Sequence, residues 1–440
     1  MVTRRHFLAA SGLAGFGLAA SRPLDPASTR VDQDPKPPPL NRPTGPAATV
    51  ARDEAYWARV RAHYRVADQF TNLEAGYYGM MALPVLAEFH RLIDRVNLES
   101  SHYARRRYET DLEAARARVA QLVGAQPGEI AFTRGATAAL HCLIAQYNRL
   151  RPGDTVLYSD GDYMAMQHTM NWLAERRGVT VARFDLPEPA SHETALAAYE
   201  RALSQHPRTR LLLLTHLNNK SGLILPAKQI VELARTRGAD AVVDAAHSFG
   251  QLDLTLSDLG ADFVGFNLHK WLGAPIGAGV MYIKEGRLPD IDRMYGDETS
   301  PPTSINSRIH TGTAHFATYL SVPAALDFHA AVGPAYKAAR VRYLRDRWVS
   351  QVRATPEIDV LTLDDPGSVA AITSFRIRKR TSRAENQAVV TELLERYGLF
   401  TAWRTGLAGG DCVRVTPALY NTTADADRLA AALKEIAGRG

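Results

Sequence analysis

Apolar and polar positions along the chain follow two alternating periods. Residues 86–97 and 112–123 repeat apolar side chains at helical spacing, and residues 129–133 form a strand-like run that opens into a helix from Ala136. Short apolar runs then recur at residues 155–158, 179–184, 211–215, 241–243, 263–266 and 278–283. Runs without polar alternation suit strands buried on both faces of a mostly parallel sheet. This predicts an α/β, doubly wound large domain over residues 86–318. Beyond it, a long helix near residues 324–350, strands at 371–376 and 412–416, and helices at 386–397 and 424–437 predict a smaller α+β domain over residues 319–440.

The first 50 residues stand apart from this pattern. Residues 1–21 have a basic start, a short apolar stretch and small residues suited to cleavage, the layout of a secretory leader. Arg4-Arg5 followed by Phe7-Leu8 resembles a twin-arginine signal, which exports folded proteins from the bacterial cytoplasm. The expected location is the periplasm or the outside of the cell, with the membrane met only in transit. Residues 22–50 are rich in Pro and hold no aromatic residue, as expected of an extended spacer. Residues 51–85 lead into the large domain.

Composition narrows the classes. With 440 residues, 46% of them hydrophobic and 22% charged, the chain is not of the disordered type. Cys142 and Cys412 are the only cysteines, so there is no disulfide framework, and both are read as buried thiols. The net charge of +6 comes from scattered arginines, apart from runs at residues 105–107 and 376–380, so no nucleic-acid-binding face is expected. No metal site is expected either. Eight of the 52 Lys and Arg residues are Lys, which draws attention to Lys270 in its apolar, Gly-bounded surroundings.

Asp244 ends the run Ala241-Val242-Val243, and Lys270 follows Phe266-Asn267-Leu268-His269. Side chains just past the carboxyl ends of adjacent strands converge on one crevice, so both can address the same ligand. A lysine held there can lose its proton and form a Schiff base with an aldehyde. A carboxylate facing a pyridine nitrogen keeps that ring protonated and makes it an electron sink.

In these residues the chain resembles the class V aminotransferase family of pyridoxal-phosphate (PLP) enzymes of fold type I, from about residue 64 to the C-terminus. The phrase Asn267-Leu268-His269-Lys270-Trp271-Leu272 is most similar to the isopenicillin N epimerase-like branch. The resemblance implies PLP as cofactor, Lys270 as the Schiff-base amine with His269 beside it, Asp244 as the partner of the ring nitrogen and His247 as a donor to the ring hydroxyl. Thr133-Arg134-Gly135-Ala136-Thr137 resembles the family's phosphate loop and puts Gly135, Ala136 and Thr137 around the phosphate. By the same resemblance Tyr163 stacks on the ring and Asn219 lies near a ring oxygen; Lys220 departs from the apolar residue usual there and is read as solvated. Gly312 and Thr313, after His310, reach the neighbouring subunit's cofactor phosphate, which implies a homodimer with shared active sites. Arg414 forks onto a substrate α-carboxylate. Residues 73–79 line the substrate pocket, with Glu74 in place of a frequent Asn and Tyr77 and Tyr78 narrowing the entrance.

The function implied is a PLP-dependent reaction at the Cα of an amino acid or small peptide, epimerase-like, with transamination or C–S β-elimination as the alternatives. Epimerisation needs a second acid opposite Lys270, for which Tyr77, Tyr78 and His310 are candidates. Persulfide-forming desulfuration is disfavoured, since Cys412 lies on a predicted strand two residues from Arg414 and Cys142 on a predicted helix, neither in an exposed electropositive setting. A non-catalytic binding protein on the same fold would be expected to lack Lys270 or Asp244.

Overall fold

Seven of the apolar runs pair into one sheet. In the computed structural model, which describes residues 37–439, the strands in chain order are β1 (Thr71–Asn72), β2 (Ile130–Thr133), β3 (Thr155–Ser159), β4 (Thr180–Phe184), β5 (Thr209–Thr215), β6 (Asp240–Asp244) and β7 (Phe263–Asn267). They continue with β8 (Gly279–Ile283), β9 (Ile358–Val360), β10 (Thr373–Ile377), β11 (Leu399–Phe400), β12 (Ala402–Arg404) and β13 (Cys412–Val415). The large sheet has the order β2-β8-β7-β6-β5-β3-β4, and β8 alone runs against its neighbours.

The absence of polar alternation in these strands has a direct cause. Leu211, Leu213 and Val242 enter an apolar cluster with Leu140, Leu143, Met166 and Met170, from the helices Ala136–Ala145 and Met164–Arg177. Their neighbours Leu212, Leu214 and Val243 enter another cluster with Tyr199 and Ile230, from the helices His192–Gln205 and Ala227–Thr236 on the other face. Alternate side chains point to opposite faces, and both faces are covered.

The second sheet is antiparallel, in the order β12-β13-β10-β9. Trp348, Leu393 and Leu433 pack it against the helices Pro334–Val352, Arg383–Tyr397 and Thr423–Gly438. A short parallel pairing of β1 with β11, followed by a bridge between Glu74 and Thr416, fastens the N-terminal segment to this C-terminal part.

Two local expectations change. The single helix expected at residues 324–350 is two, Val322–Val332 and Pro334–Val352, parted at Gly333, whose φ of +89° and following Pro334 stop one helix and start the next. The extended spacer expected to residue 50 instead ends in a helical turn, Ala47–Val50, and Val50 is buried beside Tyr56 and Trp57. The leader and the spacer up to residue 36 lie outside the described residues.

Candidate active site

The parallel register aligns the carboxyl ends of the central strands. Asp244, last in β6, sits opposite Thr215 of β5 and Gly265 of β7, and Asn267 closes β7. These ends open into a cavity of about 910 Å³. Of the residues singled out in the sequence, Gly135, Ala136, Thr137, Tyr163, Asn219, Asp244, His247, Asn267, His269, Lys270, Arg414 and Tyr77 all line it.

At its centre, Lys270 Nζ lies 3.0 Å from His247 Nε2, and Trp271 Nε1 donates to His247 Nδ1 at 3.1 Å. Burial lowers the Lys270 amine to about 8, with Asp244 pulling it up and Arg414 pushing it further down. Burial also holds His247 well below its ordinary value, helped by the Lys270 and Arg414 cations. The Asp244 carboxyl is pushed up by burial, against an Ala246 N–H donated to Oδ1 at 2.9 Å and the nearby Lys270. Burial lowers His269 as well, and its Nδ1–H donates to the Ala278 carbonyl at 2.8 Å.

One wall is formed by the start of a helix. Gly135 precedes the helix Ala136–Ala145, and the Asn267 side-chain oxygen reaches across from β7 to accept the Ala136 N–H at 2.8 Å. The next N–H groups of that first turn have no partner within the helix and sit at its positive end. Gly279 of β8 runs so close behind that a Cβ there would overlap the Gly135 backbone. On another wall, the buried Asn219 Oδ1 has no hydrogen-bond partner.

Arg414 is not open to a ligand in the way its expected role requires. Its buried guanidinium donates through Nη2 to Glu74 Oε1 and through Nη1 to the Asn219 carbonyl at 2.8 Å. Arg404, which also lines the cavity, donates to the same Glu74 oxygen at 2.7 Å. Burial lowers Arg414 to about 10, opposed by the Glu74 carboxylate. Arg404 carried no signal in the sequence beyond its residue type. Trp271 stood inside the quoted phrase, but nothing in the sequence pointed its indole at His247.

Other expectations need correction. Lys220 is buried rather than solvated, because its ammonium is drawn in to donate to the Asp160 carbonyl and, at 3.4 Å, to that of Gly406. Tyr78 stays outside the cavity lining and half exposed, while Tyr77 stands at the rim, 73% exposed. His310, Gly312 and Thr313 are exposed and outside the chain's own cavity. Cys412 is buried on β13 and Cys142 partly buried on its helix; both are free thiols, and burial pushes both up to about 11.

Residues 84–429 match the family model described as aminotransferase class-V. The chain is 30% identical over 405 residues to isopenicillin N epimerase of Streptomyces clavuligerus, covering 87% of this chain and 99% of that one. It is 27% identical over 358 residues to a probable cysteine desulfurase of Vibrio cholerae serotype O1, covering 76% and 84%. Among solved structures, the cysteine desulfurase CsdA of Escherichia coli superposes with a TM-score of 0.73 over 86% of this chain and 98% of that one, at 24% identity, a likeness of fold.

Proposed function

The chain belongs to the class V aminotransferase family and is a PLP-dependent enzyme, and from that premise we propose that it acts at the Cα of an amino acid or small peptide in the manner of an isopenicillin N epimerase. The observation that carries the reading is the Lys270 amine, 3.0 Å from His247 in the same cavity as Asp244.

The cavity suits the cofactor on its own chemistry. It holds a depressed lysine amine, an anion-binding helix start and an orphaned amide oxygen on Asn219. Lys270 would take the aldehyde, Asp244 the ring nitrogen, His247 and Asn219 the ring oxygen, Tyr163 the ring face, and Gly135, Ala136 and Thr137, beside Asn267, the phosphate. When bound, PLP supplies an aldehyde for an amine and a protonated ring that accepts electron density from Cα.

The chain's own residues then supply the proton handling. With its amine lowered to about 8, Lys270 is in part unprotonated near neutral pH, fit to take a proton from Cα and return it. Asp244 would hold a proton on the ring nitrogen when PLP is bound, and buried His247 stays neutral. Inversion at Cα needs a donor on the opposite face, and Tyr77 is the tyrosine at the cavity rim. The Glu74, Arg404 and Arg414 cluster sets two cations against one carboxylate, and that surplus positive charge supports a substrate bearing a carboxylate.

Aminotransferase or C–S β-lyase action is the second reading, favoured by the cysteine desulfurase relative. A homodimer belongs to the same proposal, supported by the exposure of Gly312 and Thr313 away from the chain's own cavity. Export by a twin-arginine leader is proposed from residues 4–8 alone.

The test is the visible absorption of the purified protein beside Lys270→Ala, before and after L- and D-amino acids are added in deuterated water. A cofactor band that needs Lys270, with deuterium entering Cα in both configurations, is expected. Formation of an oxo acid or release of sulfide would move the assignment to the second reading. No band after PLP is supplied would overturn both.

A further inference from the structure

Two hydrogen bonds meet the His247 ring, one at each nitrogen, and together they decide where its proton sits. Trp271 Nε1 lies 3.1 Å from Nδ1, and an indole nitrogen can only donate. Nδ1 therefore presents a lone pair. Burial, with the Arg414 and Arg404 cations nearby, keeps the ring neutral, and a neutral ring with Nδ1 bare carries its proton on Nε2. Nε2 is the atom 3.0 Å from Lys270 Nζ. An Nε2–H aimed at that nitrogen makes a hydrogen bond to an amine lone pair; facing an ammonium, it would set N–H against N–H.

We propose that Trp271 is a positioning residue whose indole N–H fixes His247 in the Nε2–H tautomer, so that the site presents a donor to the cofactor's ring oxygen and a proton-free amine at Lys270. This rests on the PLP-dependent reading given above. The indole is itself held in place. Trp271 is buried, its carbonyl accepts from the buried Lys337 ammonium, and Gly250 passes so close to its backbone that a Cβ there would collide. On the histidine side, Gln251 Nε2 donates to the His247 carbonyl at 3.0 Å, which fixes the backbone from which the ring projects.

The charges that face the pair come from several elements. Asp244 and Glu74 favour the Lys270 ammonium, whereas Arg404 and Arg414 oppose it, and the neighbouring His269 lies on the same turn. All of them remain when Trp271 alone is changed, so the indole's effect can be isolated by Trp271→Phe, which removes the N–H and keeps an aromatic ring.

Nitrogen NMR of histidine-labelled holoenzyme reads the tautomer, with His247→Gln used to assign the signal. Wild type is expected to show a protonated Nε2 and a bare Nδ1, and Trp271→Phe a mixture of the two tautomers. The pH midpoint of the cofactor's absorption change is expected to rise by about half to one unit in Trp271→Phe, since a donor aimed at the proton-bearing centre is weakened. A wild-type ring protonated at Nδ1, or a tautomer and midpoint unmoved in Trp271→Phe, would overturn the proposal. If that variant does not fold, the wild-type spectrum decides by itself. Absence of any cofactor band in wild type would count against the proposed function, while the tautomer is still read from the same sample.

Discussion

The carboxylate of Glu74 holds the guanidinium of Arg414 across 340 residues of sequence, both side chains almost wholly out of solvent. The cation that the family resemblance assigns to a substrate carboxylate already has a carboxylate of its own. Breaking such a pair from one side leaves a buried charge uncompensated, at a typical cost of about 3–5 kcal/mol. Glu74→Gln is therefore expected to lose about 3 kcal/mol of stability in denaturant unfolding, partly restored by a carboxylate-bearing amino acid that leaves wild type unmoved. Equal stability of the two proteins would mean that the Asn219 carbonyl and solvent already satisfy the Arg414 guanidinium.

Lys337 gives a pH dependence. It is buried, its ammonium donates to the Trp271 carbonyl, and burial lowers it from an ordinary 10.5 to about 7. Between those values the unfolded chain binds more protons than the folded one, so stability rises with pH across the window from about 7 to 10.5, and the full penalty is present below it. Lys337→Met should flatten this rise by roughly 3–5 kcal/mol, read as the difference between wild type and variant in unfolding free energy at the two ends. Parallel pH profiles would show that the lysine finds water or a partner in solution.

Gly79 lies against the reactive lysine's own backbone. Its N–H donates to the His269 carbonyl at 2.8 Å, and a Cβ would overlap the Lys270 carbonyl oxygen. Gly79→Ala must push the N-terminal segment away from the cavity, with an expected loss of about tenfold or more in cofactor affinity. Gly438→Ala, where a Cβ meets nothing within 4 Å, serves as the control. Unchanged PLP content after dialysis would contradict the close approach.

A thiol mechanism is testable by chemistry. With Cys412 buried and pushed up to about 11, roughly one thiol in ten thousand is ionised at neutral pH. Native protein should resist iodoacetamide at Cys412, and Cys412→Ala should keep its cofactor and any turnover of sulfur-containing amino acids. Loss of that turnover would return Cys412 to the mechanism.

The large sheet could be read from the sequence because its strands are buried on both faces, which leaves long apolar runs such as Leu211 to Leu214. Asp244 and Lys270 could be read because strand ends point chemistry into a crevice. What the sequence hid depends on partners far along the chain. Lys220 looks solvated until carbonyls from Asp160 and Gly406 surround it, and Glu74 looks like a simple replacement until Arg404 and Arg414 close on it. At Gly333-Pro334 the signal that parts the two helices was present in the sequence.

The pairing of β1 with β11, together with the Glu74 bridge to Thr416, also bears on how the protein is made. A ribosome delivers the N-terminal segment first and β13 more than three hundred residues later, so a nascent chain already carrying Lys270 still lacks one wall of the pocket around it. Contacts of such long span form late in folding. A chain cut short before Arg414 would carry the reactive amine without its finished pocket.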